Sequence, residues 1–208
     1  MLQYLGVGLS RTGTKSLCDA METLGFVSRH WYDTERAQRK LWPYQLSGLV
    51  MGTETSADFR RIYEKCEFAN DLPHAYFYRE IWAAYPELRF ILTVRDESEW
   101  FESFVRHCAN LPALLARQPN VQEESHRLIC LVYGFDDRRP PPSFLVRKRY
   151  REWNAGVQLI IPSERLLVLN VTDQQCTDAD KWQALCRFVN RPIPAVPFPH
   201  RNRSRAVN

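Results

Sequence analysis

Two glycines near the start of the chain enclose a polar loop whose residue types suit the binding of an anion. Gly8 and Gly13 bracket two hydroxyl side chains and one arginine, and an apolar run over residues 4–7 before them predicts a buried strand. After the loop, apolar residues recur at helical spacing, at Leu17, Met21 and Leu24. A strand, a glycine-bounded loop and a helix direct backbone N–H groups and the positive end of a helix dipole at an anion. The stretch predicts a phosphate-binding loop, and an ordinary glycine turn after an edge strand is the alternative.

The loop differs from the Walker A pattern, in which a lysine directly follows the second glycine. Gly8 and Gly13 have the Walker separation, but Thr14 comes next and the lysine is Lys15. One residue along a helix is a rotation of about 100°, so Lys15 cannot replace the Walker lysine. The cation inside the loop is therefore Arg11.

The loop sequence resembles the 5′-phosphosulfate loop of sulfotransferases that use 3′-phosphoadenosine 5′-phosphosulfate (PAPS). The usual order in that family is a basic residue, Ser or Thr, Gly, Thr, and Ser or Thr. Lys15 departs from the last of these positions, and Ser16 follows it. The resemblance implies that the donor is bound by Ser10, Arg11, Thr12, Gly13, Thr14, Lys15 and Ser16. It also implies that Arg11 and Lys15 neutralise charge during the transfer.

A second pair of residues follows the strongest predicted strand, at residues 89–94. Arg95 lies at the carboxyl end of this strand, where ligands bind in open α/β sheets, and Ser103 follows eight residues later in a predicted helix. Sulfotransferases similar to this chain hold the 3′-phosphate of the nucleotide with an Arg and a Ser at this spacing. The alternative for Arg95 is a surface ion pair with Asp96 or Glu99.

Asp71 is the candidate general base. In cytosolic sulfotransferases the general base is a histidine in a T-H-L-P segment after a strand. The matching segment here, residues 70–73, places Asp71 at the position of that histidine. Other branches of the superfamily use a carboxylate there. Partial burial would have to raise the pKa of Asp71 for it to act as a base. His74 is the second candidate, and the alternative role for Asp71 is to cap a helix predicted to begin at Pro73.

The resemblance covers residues 4–17, 71–103 and 165–200, and two features depart from it. Ala69 stands where the family has a basic residue, and the R-K-G loop near the C-terminus is absent. The positive charge of that missing loop could come from Arg201, Arg203 and Arg205, which could equally form a solvated tail.

The resemblance implies a PAPS-dependent sulfotransferase that acts on a hydroxyl or amine of a small-molecule or glycan-like acceptor, releases 3′,5′-ADP (PAP) and needs no metal. A kinase or nucleotidase with Asp96 as its metal carboxylate is one alternative. A nucleotide-binding protein without transferase activity is the other.

Alternating strand and helix patterns predict an α/β fold of three layers, in which helices cover both faces of a central parallel sheet. Strands are predicted at residues 4–7, 26–30, 68–71, 89–94 and 165–169. Helices are predicted from residue 14, at 57–65, from Pro73 through Trp82, and at 97–104, 144–161 and 178–189, the last capped by Thr177 or Asp178. Residues 1–208 are expected to form one domain with a lid or insertion at 109–143, including a helical candidate at 121–132.

Composition narrows the function classes. The 208 residues are 45% hydrophobic and 25% charged, with a net charge of +4. This charge favours anionic ligands, but basic residues do not alternate with aromatic ones, which argues against nucleic acid. The six cysteines have no metal-ligand spacing and are expected to be reduced thiols. Without a leader pattern or a run of about 18 apolar residues, we expect a cytoplasmic protein that does not engage membranes. The sequence does not indicate an oligomeric state.

Overall fold

The computed structural model describes residues 1–30, 48–50, 57–115, 127–134 and 142–200, without the side chains of 110–115. Its centre is a five-stranded sheet in the order β2-β3-β1-β4-β5, in which all neighbouring strands are parallel. The strands are β1 (Tyr4–Gly6), β2 (Ser28–His30), β3 (Phe68–Asn70), β4 (Arg89–Thr93) and β5 (Leu166–Leu169). The prediction of a parallel α/β sheet is confirmed.

Helices connect the strands and cover the sheet. They are α1 (Thr14–Thr23), α2 (Phe59–Ile62), α3 (Tyr78–Ala84), α4 (Glu97–Leu115), α5 (Ser143–Ile160) and α6 (Asp178–Val189), with a 3-10 turn at Ser163–Arg165. Residues 48–50 and 127–133 are also helical. No helix among the described residues is long and apolar enough to cross a membrane.

The buried apolar residues divide into two clusters, one on each face of the sheet. Phe90 and Leu92 of β4 belong to one cluster, whereas Ile91 between them belongs to the other. Because successive side chains of a strand point to opposite faces, this alternation places the clusters on opposite sides. The sheet is the middle of three layers, as the sequence pattern predicts.

Most predicted bounds are confirmed to within two residues, and α6 has the predicted bounds. Its cap is Thr177, which accepts from the backbone N–H of Asp180 while the Asp180 side chain accepts from the backbone of Thr177. The helix predicted to end at Phe104 was too short, because α4 continues to Leu115.

The helix predicted to begin at Pro73 was wrong by five residues, since α3 begins at Tyr78 with Phe77 as its N-cap. Asp71 adopts a left-handed φ of 69°, which turns the chain directly after β3. Residues 71–77 form turns in which the Ala75 N–H donates to the carbonyl of Asp71. A sharp turn therefore separates the proline from the helix.

Part of the predicted lid at 109–143 contributes to the core. Leu128, Val132 and Tyr133 are buried in the cluster that also contains Phe90. Residues 116–126 and 135–141 lie outside the described residues, so the lid and the first half of the helical candidate at 121–132 stay predictions. The arginines at 201, 203 and 205 also lie outside them.

Candidate functional site

The loop between β1 and α1 lies at the carboxyl ends of β1 and β4. A Cβ atom on Gly8 would lie 2.0 Å from Thr93 Oγ1 and 2.6 Å from the carbonyl oxygen of Thr93, so the loop approaches β4 too closely for a side chain. Gly13 has a left-handed φ of 97° and is the N-cap of α1, which no side chain caps. Both glycines are needed to form this turn.

The loop is braced by side chains beneath it. The Thr12 hydroxyl donates to the carbonyl of Leu9 at 2.6 Å and lies 2.6 Å from Thr93 Oγ1. Thr12 is fully buried, so its hydroxyl supports the loop from within the fold. The indole N–H of Trp100 donates to the carbonyl of Ser10 at 3.0 Å, and the indole of Trp153 holds Val7 in the same way.

Asp71 lies against the loop, at the end of β3. Its Oδ1 accepts from the Ser10 hydroxyl at 2.6 Å and from the Leu72 N–H at 2.9 Å. Its Oδ2 lies 3.2 Å from His30 Nε2, and 10% of the side chain is exposed. Asp71 does not cap α3, which begins at Tyr78. The structure thus brings together two predicted site residues, Ser10 and Asp71, and fixes the carboxylate in one orientation.

His30 is a member of this site that the sequence interpretation missed. Its Nε2 lies 3.2 Å from Asp71 Oδ2 and 3.2 Å from Thr14 Oγ1, and the residue is 2% exposed. Asn70 adds a second link, because its amide donates to the carbonyl of Thr14 at 2.6 Å and accepts from the Asp71 N–H at 2.8 Å. His30 ends a predicted strand, and the rule that ligands bind at strand carboxyl ends was the signal that could have found it.

On the other side of the loop, Arg11 reaches α4. Its Nε donates to the Ser103 hydroxyl at 3.2 Å, and Ser103 is 5% exposed. One turn further along α4, burial and then the charge of Arg11 lower the pKa of His107, while Asp71 opposes the shift. The predicted contacts of the 5′-phosphosulfate and the 3′-phosphate, Arg11 and Ser103, therefore adjoin each other.

Arg95 is engaged elsewhere. Its Nε donates to Glu99 Oε2 at 3.2 Å, so the ion-pair alternative is observed with Glu99. The Arg95 backbone is held by the Tyr150 hydroxyl, which donates to its carbonyl at 2.8 Å. Asp96 caps α4 by accepting from the N–H groups of Ser98 and Glu99. This role as a helix cap counts against Asp96 as the metal ligand of a kinase.

The remaining predicted loop residues lie on the first turn of α1. Lys15 Nζ forms an ion pair with Asp19 Oδ1 at 3.3 Å, one turn along the helix, and 28% of the Lys15 side chain is exposed. Ser16 is 5% exposed. Lys15 is thus at the loop, but its ammonium group is directed to the side of α1.

His74, the second candidate base, belongs to the core. It is fully buried, and its Nδ1 lies 2.7 Å from the Tyr63 hydroxyl. Burial, then the charges of Arg29 and His30, lower the pKa of His74 from 6.5 to about 3. This environment does not expose His74 to an acceptor.

A cavity of about 550 Å³ lies between α5 and the residues after Asp71. Its walls include the aromatic residues Tyr76, Phe77, Tyr78 and Trp153. Trp153 links the cavity to the loop because its indole donates to Val7. Within the described ranges, no three His, Cys, Asp or Glu side chains cluster in a way that could hold a metal ion.

Comparisons with known proteins cover the whole of this site. A family model described as "Sulfotransferase domain" matches residues 3–207. The chain is also similar to a protein of Aspergillus versicolor named "Ava biosynthesis cluster protein M", at 26% identity over 219 residues. That match spans 96% of this chain and 80% of the fungal protein.

Proposed function

Because the chain belongs to the sulfotransferase domain family, we propose that it transfers a sulfuryl group from PAPS to a hydroxyl or amine of a small-molecule or glycan-like acceptor. The observation that carries this proposal is the 2.6 Å hydrogen bond from Ser10 to Asp71. It puts a carboxylate beside the loop that would hold the 5′-phosphosulfate. A base next to the transferred group is what this reaction needs.

The residues of the loop fit the donor. The N-terminus of α1 has no side-chain cap, which leaves its positive end for an anion. Arg11 and Lys15 would bring cationic charge to the 5′-phosphosulfate, and Ser103 with Arg95 would hold the 3′-phosphate. PAPS supplies an activated sulfuryl group when it is bound.

In the proposed reaction, Asp71 accepts the proton of the acceptor hydroxyl or amine as its oxygen or nitrogen bonds to sulfur. The bond between sulfur and the bridging phosphate oxygen breaks, and its electron pair stays on the phosphate of the product PAP. Arg11 and the N–H groups of the loop offset the charge that builds there. The proposal assigns no role to a metal, because the transferred sulfuryl group carries less negative charge than a terminal phosphoryl group.

We infer that the acceptor has an aromatic or apolar part. The aromatic walls of the cavity, formed by Tyr76, Phe77, Tyr78 and Trp153, support this proposal. The fungal relative is named for a biosynthesis cluster, which accords with a small-molecule acceptor.

One alternative is a protein that binds PAP without transferring sulfate. Ala69 favours it, because this position is basic in the family that the sequence resembles.

The proposal is tested by incubating the protein with sulfate-labelled PAPS and a panel of phenols, aliphatic alcohols, amines and sugars, with and without EDTA. We expect label transfer to at least one phenol, unchanged by EDTA, and a rise in melting temperature with PAP. Binding of PAP without transfer to any acceptor supports the non-catalytic alternative. Turnover that requires Mg²⁺, or a melting temperature that PAP does not raise, overturns the proposal.

A further inference from the structure

A single ring nitrogen joins the candidate base to the first residue of α1. His30 Nε2 lies 3.2 Å from Asp71 Oδ2 and 3.2 Å from Thr14 Oγ1. His30 is 2% exposed, and Thr14 is 4% exposed, so water reaches neither contact freely. The bridge therefore lies inside the protein.

The bridge has a defined direction. An ionised carboxylate only accepts hydrogen bonds, so Nε2 must carry a proton to hold Asp71. With the proton on Nε2, the Thr14 hydroxyl oxygen at 3.2 Å can accept from the same N–H. Asn70 reinforces the link through the backbone, because its amide contacts both the Thr14 carbonyl and the Asp71 N–H.

The charged surroundings of His30 come from β2 and from the segment after Asp71. Arg29 precedes it in the strand, and both Arg29 and His30 add to the lowering of the pKa of the buried His74. His74 makes its own hydrogen bond to Tyr63. Among the described residues, His30 and His74 are both buried, and the 3.2 Å contact with Asp71 is made by His30.

We propose that His30 is a positioning residue that couples the base to the donor loop. Its Nε2–H fixes Asp71 Oδ2 relative to the first turn of α1, so the proton acceptor and the phosphosulfate site keep one spacing. This inference rests on the proposed function, in which Asp71 receives the acceptor proton. Displacement of a reacting group by about 1 Å can cost on the order of a hundredfold in rate.

The test compares His30→Leu, which removes the N–H, with His30→Gln, whose amide N–H reaches nearly the same place. His74→Leu is the matched control, because it removes the other buried histidine. We expect His30→Leu to lower kcat roughly 10- to 100-fold, with a change in the KM for PAPS of less than about threefold. His30→Gln should recover kcat to within about fivefold of the wild type. His74→Leu should lower the melting temperature and leave kcat nearly unchanged.

A spectroscopic measurement on the wild type tests the bridge without any substrate. In a nitrogen–proton correlation spectrum of the imidazole rings, His30 should carry its proton on Nε2. That proton signal should vanish in His30→Gln and shift in Asp71→Asn.

Two results overturn the inference while leaving the proposed function in place. One is a His30 ring whose Nε2 bears no proton. The other is an active His30→Leu protein that loses melting temperature but not kcat, as His74→Leu does. A wild type that binds no PAP and transfers no sulfate overturns the proposed function and this inference with it.

Discussion

The two sides of the phosphate loop are built differently. On the side of the candidate base, Asp71 receives hydrogen bonds from the half-buried Ser10 and the buried Leu72 N–H and contacts the buried His30. On the nucleotide side, Arg11 makes one contact of 3.2 Å with Ser103, and Arg95 is paired with a glutamate that is 57% exposed. The Asp71 carboxylate is on a short side chain with several contacts, whereas the guanidinium groups of Arg11 and Arg95 are at the ends of long side chains.

This difference predicts different behaviour in the two halves of the site. A carboxylate with several buried contacts keeps its position without a ligand. In the proposed function Arg95 would exchange Glu99 for a 3′-phosphate, and exposed ion pairs of this kind are worth only about 0.2–1 kcal/mol. We infer that the base side is preorganised and that nucleotide binding is accompanied by rearrangement of the arginines.

The largest expected effect comes from Asp71→Asn, which removes the proton acceptor and keeps the size of the side chain. General-base catalysis is worth on the order of 10²–10⁴-fold, so kcat should fall by that factor. The affinity for PAP, measured by calorimetry, should change little. If Asp71→Asn turns over normally, Asp71 is a structural residue and the base side has been assigned the wrong role.

The second effect is on the nucleotide side. Arg95→Ala should weaken PAP binding by about 1.5–3 kcal/mol, the range of hydrogen bonds to charged groups. Binding of 5′-AMP, which has no 3′-phosphate, should be nearly unchanged. Arg106→Ala is the control, because Arg106 forms an exposed ion pair with Glu102 on the same helix. Equal losses for PAP and 5′-AMP would contradict the assignment of Arg95.

The third prediction concerns the pH dependence of stability, which His74 should affect although it takes no part in catalysis. The pKa of His74 is about 3 in the folded protein and 6.5 when it is exposed, so the unfolded chain binds more protons between these values. Stability from this group is complete above pH 6.5 and is lost as the pH falls toward 3. From pH 7 to pH 5 the free energy of unfolding should drop by roughly 2 kcal/mol on this account.

His74→Leu should remove most of this slope in urea denaturation followed at several pH values. The pH profile of kcat should be the same in the wild type and in His74→Leu. A slope unchanged in His74→Leu would show that this histidine is not held neutral in the fold.

The strands were predictable because most are short apolar runs, and the polar β2 (Ser28–His30) directly follows the apolar Phe26 and Val27. The order of the strands in the sheet was not predictable, and that order determines which residues meet at the site. His30 meets Asp71 and Thr14 only because β2 pairs with β3 and β3 with β1. A contact between residues 41 positions apart leaves no periodic signal, so the third member of the base side was missed.

Two other differences have local causes. A proline favours a helix that starts at its own position, which predicted a start at Pro73, but the left-handed Asp71 turns the chain first, and α3 begins five residues after Pro73. The partner of Arg95 could be narrowed from the sequence to Asp96 or Glu99. It is Glu99, because Asp96 caps α4 and Glu99, in the first turn of that helix, lies beside the guanidinium of Arg95.

The smallest expected effect tests whether Glu99 restrains Arg95. Glu99→Gln removes the competing charge, so PAP should bind more tightly by a factor of roughly two to five, the equivalent of about 0.5–1 kcal/mol. Affinity for 5′-AMP should stay the same, since Arg95 would contact only the 3′-phosphate. Glu102→Gln, which removes the negative charge beside the exposed Arg106, is the control for a general gain in positive charge on α4.

The gain from Glu99→Gln should shrink as salt is added, because an exposed ion pair is screened by dissolved ions. It should also vanish when Arg95 is already alanine, since the two substitutions act through one contact. A gain of the same size in Glu102→Gln would mean that overall charge, and not release of Arg95, tightens binding. Weaker PAP binding in Glu99→Gln would show that the ion pair holds Arg95 in its binding position, and the nucleotide side would then be as preorganised as the base side.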